Sequence, residues 1–244
     1  MIKIVLQILL CTLSLRVCWA AHPLVTDDTL TQAHGHWQVE MNSDRYQRRD
    51  QRWVQTGAAA IQYGAASNLD LSLGSALLLA PSDGVGDSTV GAKWRFWENG
   101  NVSAGLKTEL VLPTGNAGKG NGYGRINGGV TLLGSYHTGP WLLLGNLALS
   151  SNDYQNVTLR DANRRILWRT SAAALFTFDA QWRLVVDGGV RRNEAQGISV
   201  YPAFLLAGVI YSPHQEIDFD LGAKVGLNKA EVKCQLGAGI ALRY

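Results

Sequence analysis

The last fourteen residues of the 244-residue chain, EVKCQLGAGIALRY, alternate between apolar side chains and polar or small ones. One face holds the apolar side chains and ends in Tyr244, whereas the other holds Lys233, Gln235 and Arg243 among small residues. Alternation over roughly 9 to 11 residues is what a strand needs to cross a bilayer as part of a closed barrel. The chain end is therefore predicted to be a transmembrane strand.

About twelve stretches of alternating hydrophobicity follow one another between His36 and Tyr244, and an even number is typical of single-chain bacterial barrels. The clearest stretches are NLDLSLGSALLLA, NVSAGLKTELVL, RILWRTSAAALFTF and QWRLVVDGGVRR. We therefore predict an all-β fold, in which residues 36–244 form a single transmembrane, antiparallel, up-and-down β-barrel.

The predicted connections alternate between short and long, as the periplasmic turns and extracellular loops of an outer-membrane barrel do. The two longest are Pro113–Gly124 and Ser151–Asn163. Those of hairpin length are Gly64–Ser67, Glu98–Gly100, His137–Gly139, Asp179–Gln181 and Pro213–Gln215. Aromatic side chains cluster beside these short turns, as they do at membrane interfaces. Both chain ends then lie on the periplasmic side, and the last strand is predicted to pair with the one near Trp37, which leaves no edge unpaired.

Residues 1–20 have the pattern of a secretory signal peptide: Lys3 precedes an apolar run from Ile4 to Leu15, and the small residue Ala20 ends the segment. The apolar run is too short for a transmembrane helix, which needs roughly 20 apolar residues. Cleavage after Ala20 leaves one of the three cysteines, Cys234, so an intramolecular disulfide is excluded. We expect export to the outer membrane of a Gram-negative cell.

The charge balance argues against a nucleic-acid partner. The formal net charge of +3 falls to +1 once Lys3 and Arg16 leave with the signal peptide, since two of 22 basic residues are lost against 19 acidic ones. A charge so close to zero provides no electrostatic footprint for nucleic acid. No continuous hydrophobic span follows the signal peptide, which excludes a helical membrane protein.

Residues 21–35 have no strand pattern and are expected to form either a periplasmic N-terminal segment or a partial plug in the barrel mouth. Within them, Thr26, Asp27, Asp28 and Thr29 form a polar motif. Hydrogen bonds from the aspartates to nearby backbone would explain this motif as a tight turn. Calcium binding is the alternative, and it would need several more oxygen ligands.

No constellation of residues predicts catalysis, a metal site or a bound cofactor. Ser135 and His137 share a strand face, but no acidic residue in the same stretch would orient the imidazole. His34 and His36 could bind a metal as a pair, yet no further Cys or His cluster supports them. The loop PTGNAGKGNGYG lacks the Ser or Thr that follows the lysine of a phosphate-binding loop. The chain is therefore predicted not to be an enzyme.

Charged side chains on the inward strand faces are the residues that could select solutes. The candidates for lining the lumen and its constriction are Lys93, Lys107, Glu109, Arg169, Asp187 and Lys224. A basic excess among the inward charges favours anions, and inward glycines such as Gly222, Gly237 and Gly239 leave room for a pore. The alternative is that the inward charges pair with one another and fill a narrow barrel, because an unpaired buried charge is costly.

Four stretches resemble a family of outer-membrane proteins linked to the meta-pathway of phenol degradation. They are HPLVTDDTLTQAHGHWQVE (His22–Glu40), GVGDSTVGAKWRF (Gly84–Phe96), ELVLPTG (Glu109–Gly115) and WLLLGNLAL (Trp141–Leu149), in the family's order. The resemblance implies a barrel surrounded by membrane lipid, through which small solutes, including aromatic compounds, pass. It also implies that Tyr244 is a recognition signal for the barrel-insertion machinery.

The leading hypothesis is a passive outer-membrane channel for small solutes, with aromatic or anionic compounds as candidates. The second hypothesis is a non-conducting structural or binding barrel, and the third is a lipid-modifying enzyme. The sequence leaves the identity of the solute and the oligomeric state open.

Overall fold

The computed structural model describes residues 22–81 and 83–244, so the predicted signal peptide of residues 1–20 lies outside the described part of the chain. The fold consists almost entirely of strands: β1 (Trp37–Gln47), β2 (Trp53–Ala66), β3 (Leu69–Ala80), β4 (Gly84–Asn99), β5 (Val102–Leu112), β6 (Asn127–Thr138), β7 (Trp141–Ser151), β8 (Ile166–Thr177), β9 (Trp182–Arg191), β10 (Ala203–His214), β11 (Ile217–Gly226) and β12 (Cys234–Arg243). The loops contain a 3-10 turn at Ala117–Lys119 and one short helix, α1 (Val157–Ala162). Among the described residues, no helix is long and apolar enough to cross a membrane.

Every strand pairs antiparallel with its neighbours in sequence, and β1 pairs with β12 to close the barrel. The closing register runs from Gln38 opposite Arg243 to Gln47 opposite Cys234. Beyond it, the backbone N–H of Trp37 donates to the carbonyl of Tyr244 at 3.0 Å, and the reverse bond measures 2.9 Å. Closure gives hydrogen-bond partners to the backbone N–H and C=O groups at the edges of β1 and β12, which lipid could not provide. The predicted fold class, the strand number and the pairing of the last strand with the first are confirmed.

The connections lie on two rims of the barrel, as predicted. The rim that carries the chain end has the two-residue turns 67–68, 100–101, 139–140 and 215–216 and the four-residue turn 178–181. Gly100 and Gly139 adopt positive φ angles of 59° and 55° in these turns, a conformation that glycine adopts without strain. The opposite rim has the long loops 113–126, 152–165 and 192–202. We call these the periplasmic rim and the extracellular rim.

Alternation along the strands places apolar side chains on the outer surface. In β7, Trp141, Leu143 and Leu147 are exposed, whereas Leu142 and Leu144 between them are buried inside the barrel. An exposed apolar surface of this extent is unfavourable in water and matches the lipid-facing band of a membrane barrel.

Aromatic rings form a belt on the outer surface near the periplasmic rim. Three tilted ring pairs with centroids 4.5–4.7 Å apart lie there: Trp37 with Tyr63, Trp141 with Phe176, and Trp182 with Tyr211. The position of this belt is consistent with an interface between lipid and water.

The barrel interior is divided between an apolar part and a polar part. Eight buried apolar side chains on the inward faces of β7–β10 form what we call the apolar wall: Leu142, Leu144, Ala173, Leu175, Val185, Phe204, Leu206 and Ile210. The alternation pattern predicted inward charges but not this wall. Its signal in the sequence is the run of consecutive apolar residues in WLLL of β7 and FLLA of β10, which is typical of strands that are buried on both faces.

A buried ion cluster joins β9, β11 and β12 near the periplasmic rim. Asp218 is 0% exposed and accepts hydrogen bonds from Arg183 at 2.8 Å and from Arg243 at 2.7 Å. Two guanidinium groups therefore compensate one buried carboxylate, as burial of a charge requires. Lys233, which the alternation of the last strand placed on its polar face, lies instead in an extracellular loop, because β12 begins at Cys234.

Candidate functional site

Residues 22–36, which we call the inner segment, run through the interior of the barrel. At the periplasmic rim the backbone N–H of Gly35 donates to the carbonyl of Gly64 at 2.8 Å, and the N–H of Gly64 donates to the carbonyl of His36 at 2.9 Å. Toward its other end, Val25 and Thr26 of the segment reach Asp187, which lies near the middle of β9. The segment thus extends from the periplasmic rim to about the middle of the lumen.

Inward glycines of two neighbouring strands, β11 and β12, form a niche for the first residues of the segment. A Cβ atom at Gly222 of β11 would lie 2.5 Å from Cβ of Pro23, and one at Gly239 of β12 would lie 2.9 Å from Nδ1 of His22. A Cβ at Gly237 would likewise lie 2.9 Å from Nε2 of His22. Our interpretation that these glycines leave room for a pore is therefore wrong at these positions, because the inner segment fills the space.

His22 is held between two carboxylates inside this niche. Its Nδ1 is hydrogen-bonded to Asp220 of β11, and its Nε2 lies 3.5 Å from Oδ1 of Asp44 of β1. Burial alone would lower the pKa of His22, but the hydrogen bonds and charges of Asp220 and Asp44 outweigh burial and raise this pKa to about 9. The imidazolium is therefore the form that the niche binds.

We expect the docking of His22 to weaken as the pH rises. Because the pKa of docked His22 is raised from 6.5 to about 9, its stabilisation is complete below pH 6.5 and is lost as the pH rises through 9. The shift corresponds to about 3 kcal/mol of docking free energy. Pulsed hydrogen exchange, corrected for intrinsic rates, should show that protection of the Val25 and Thr26 amides falls over this range. The His22→Gln variant should show no such fall, and identical profiles for the two proteins would contradict the prediction.

The next residues of the segment bind Asp187 and the apolar wall. The buried carboxylate of Asp187 accepts hydrogen bonds from the backbone N–H groups of Val25 at 2.6 Å and Thr26 at 2.8 Å, and from the Thr26 hydroxyl at 2.7 Å. The side chains of Leu24 and Val25 pack against the apolar wall. A polar anchor and an apolar contact thus hold the same three residues.

The two adjacent aspartates of the segment face lysines of β4 and β5. Lys107 donates to Asp27 at 3.0 Å, and Lys93 lies 3.4 Å from both Asp27 and Asp28. Burial raises the pKa of Asp28, whereas at Asp27 the charges of Lys93 and Lys107 outweigh burial and lower the pKa. Asp28 Oδ1 also accepts the backbone N–H of Leu30 at 2.8 Å, which is the turn bond expected from the sequence. These carboxylates bind ammonium and backbone groups, an arrangement that does not fit the calcium alternative.

The last part of the segment is anchored by hydroxyl and carboxylate groups on the inward faces of β3, β5 and β6. The Thr29 hydroxyl bonds to the Ser103 hydroxyl at 2.5 Å, and its backbone N–H donates to the Ser135 hydroxyl at 3.1 Å. The backbone N–H of Gln32 donates to Asp70 at 2.9 Å. Ser135, the serine considered for a lipid-modifying enzyme, is 3% exposed, and its hydroxyl is used to bind the segment.

Three of the predicted lumen residues come together beside the segment. Lys93, Lys107 and Glu109 line a cavity of about 160 Å³, together with Asp27, Glu40 and Asp70. Carboxylates outnumber ammonium groups around this cavity. The expected basic excess is therefore wrong here, because it left out Glu40, Asp70 and the aspartates of the inner segment.

The other three predicted residues lie apart from this cavity. Arg169 and Arg191 line a second cavity of about 210 Å³ that lies closer to the extracellular rim. Lys224 lies 5.5 Å from the centroid of the Phe204 ring, at the edge of the apolar wall. Asp187 binds the inner segment, as described above.

A family model described as "Putative MetA-pathway of phenol degradation" matches residues 21–244, which is the whole of the given chain after the predicted signal peptide. The chain belongs to this family. The resemblance seen in the PLVTDDT opening and the later motifs is thereby confirmed, and the opening is now seen to supply the contacts of the inner segment. No curated protein matches this chain significantly.

Solved structures with the same fold are outer-membrane channels and porins. An outer membrane channel from Pseudomonas putida F1 superposes with a TM-score of 0.71 at 13% identity, covering 91% of this chain and 100% of that one. The KdgM porin gives a TM-score of 0.62 at 11% identity, and the NanC porin gives 0.62 at 9%, each covering 84% of this chain and 98% of the other. This family member is accordingly an outer-membrane β-barrel.

Proposed function

We propose that this protein is an outer-membrane channel for the passive passage of small solutes, and that the inner segment restricts passage through its lumen. The observation that carries the proposal is the presence of two lumen cavities, of about 160 and 210 Å³, lined by charged side chains. Charged linings of this kind select solutes in channels by favouring one sign or by binding polar groups. The fold of known channels and porins supports the same function.

We further propose that the solutes are small polar or aromatic molecules. The cavity near the extracellular rim has Arg169 and Arg191 and would favour anions, whereas the cavity beside Asp27 is rich in carboxylates. A solved monoaromatic hydrocarbon channel, CymD, has a TM-score of 0.50 to this chain at 9% identity, covering 86% of this chain and 88% of that one. Its cargo suggests aromatic compounds as test solutes.

The second candidate is a barrel that does not conduct. It is favoured by the contacts that the inner segment makes on opposite sides of the lumen, from Asp220 of β11 to Lys107 of β5 and Asp187 of β9. A segment tied to so many strands could close the lumen permanently. We assign no catalytic role to Ser135 or His137.

Planar-bilayer recording and liposome flux assays separate the two candidates. Purified protein should give discrete current steps and admit small solutes such as glycerol and phenol into liposomes. Insertion is checked independently by the shift in electrophoretic mobility that folded barrels show on heating. A folded and inserted protein that carries neither current nor solute would overturn the channel proposal in favour of the closed barrel.

A further inference from the structure

The apolar wall is an unexpected lining for a channel, because the inward faces of water-filled barrels are normally polar. Leu142, Leu175 and Leu206 are each no more than 3% exposed. If nothing covered this apolar surface, water would solvate it poorly, and the surface is therefore suited to an apolar occupant. In the structure the occupant is the inner segment, through Leu24 and Val25.

A single carboxylate lies within this wall. The sheet register places Asp187 of β9 directly between Ala173 of β8 and Leu206 of β10, and Asp187 is 0% exposed. All three hydrogen bonds given above for this carboxylate come from Val25 and Thr26. Because a carboxylate in apolar surroundings is costly without donors, the position selects an occupant that brings a hydroxyl or N–H group.

A second polar group in the same region has no partner. Ser171 precedes Ala173 on the same inward face of β8 and is 6% exposed, and its hydroxyl makes no hydrogen bond within residues 22–81 and 83–244. A buried hydroxyl without a protein partner is rare, and this one can bond to a polar group of a ligand that enters the site. An apolar surface with a few oriented polar groups is the usual composition of a small-molecule site.

We propose that Asp187 and the apolar wall form a binding site for a small neutral apolar solute that carries a hydroxyl group, such as phenol, and that Leu24–Thr26 occupy this site in the absence of the solute. The proposal rests on the channel function, for which this solute would be the cargo. The segment presents the same chemistry, since Leu24 and Val25 offer hydrocarbon and Thr26 offers a hydroxyl. A hydrocarbon without a hydroxyl leaves Asp187 without a donor, and a carboxylate is repelled by it.

Exchange of segment for solute requires only the first residues of the segment to move. The anchors that follow lie on other strands: Asp27 binds Lys107 of β5, Thr29 binds Ser103 of β5, and Gln32 binds Asp70 of β3. Residues 22–26 can therefore leave the wall while the rest of the segment stays in place. His22 is the group that opposes their release, through its contacts with Asp220 and Asp44.

Equilibrium dialysis against the detergent-solubilised protein tests this site, with phenol, toluene and benzoate as probes of similar size. Phenol should bind about tenfold more tightly than toluene, since only phenol supplies the donor that Asp187 needs, and benzoate, which Asp187 repels, should not displace bound phenol. Gly222→Val, which displaces Pro23 and so removes the internal competitor, should tighten phenol binding severalfold. Gly145→Val is the matched control, because a Cβ at Gly145 meets nothing within 4 Å and the residue is exposed on the outer face of β7.

Equal binding of phenol and toluene by the wild-type protein would overturn the proposal, as would unchanged phenol affinity in a folded Gly222→Val variant. If that variant does not fold, His22→Ala weakens the same contact without altering a strand and should also tighten phenol binding. Conductance measured on the same preparations separates the two proposals. Current without selective phenol binding would overturn the site alone, whereas selective binding without current would overturn the channel function and leave the site in place.

Discussion

Deletion of Ala241–Tyr244 should abolish assembly of the barrel. These residues pair with β1 on one side and with β11 on the other, and Ala241 is 0% exposed. Their loss leaves backbone groups of Trp37 and its neighbours without partners inside the bilayer, where each unsatisfied group costs several kcal/mol. It also removes one of the two guanidinium groups, that of Arg243, from the buried carboxylate of Asp218.

Heat-modifiable electrophoresis of outer-membrane fractions and of protein refolded in detergent measures this outcome. The truncated chain should run only as the unfolded form in both. Tyr244→Ala provides the control, because the Tyr244 side chain is 68% exposed while its backbone still bonds to Trp37. If the aromatic ring acts as a recognition signal for the insertion machinery, this variant should refold in detergent and insert poorly in cells. Normal insertion of the truncated chain would contradict the need for a complete closing strand.

Gly222→Val should increase the conductance of the protein severalfold. A Cβ at this position would lie 2.5 Å from Cβ and 3.0 Å from Cγ of Pro23, and the nearest atom outside Pro23, the carbonyl oxygen of Ala207, is 3.9 Å away. Contacts below 3.0 Å are not tolerated, and the Pro23 ring is rigid, so the segment has to move rather than the strand. Displacement of Pro23 pulls His22 away from Asp220 and opens the middle of the lumen.

Single-channel recording of wild-type, Gly222→Val and Gly145→Val proteins measures this effect. The control adds the same side chain to an outward-facing position that has open space around it, and its conductance should equal that of the wild type. Protection of the Val25 and Thr26 amides against exchange should fall only in Gly222→Val. If this variant loses protection yet conducts no better than the wild type, the inner segment does not restrict passage.

The sequence was sufficient to predict the barrel, because both the alternation of side chains along each strand and the positions of the short turns are visible in it. Side chains of β7 alternate between Leu143, which faces outward, and Asn146, which faces inward, and the turns around Gly100 and Gly139 require glycine. These properties are local, so a single sequence reveals them. Closure followed as a physical requirement, since an open edge is not tolerated in lipid.

The candidate site was only partly predictable. The alternation along the strands showed that Lys93 and Lys107 face inward. Their partner Asp27, however, lies 80 residues from Lys107 in a stretch without any periodicity. The same alternation led us to predict that the inward-facing Gly222 and Gly239 leave room for an empty pore. Nothing in the alternation distinguishes a glycine that leaves space for solvent from one that leaves space for Pro23 or His22.

The sequence by itself determined the barrel, its strand number, its closing pair and the end at which the short turns lie, because each depends on neighbouring residues or on the requirement that every backbone group be paired in a bilayer. Only the tertiary structure decided what fills the lumen. The path of the inner segment depends on contacts between residues far apart in sequence, such as Thr26 with Asp187 and His22 with Asp220, and no local pattern encodes which of the two alternatives, periplasmic tail or lumen occupant, has the lower free energy.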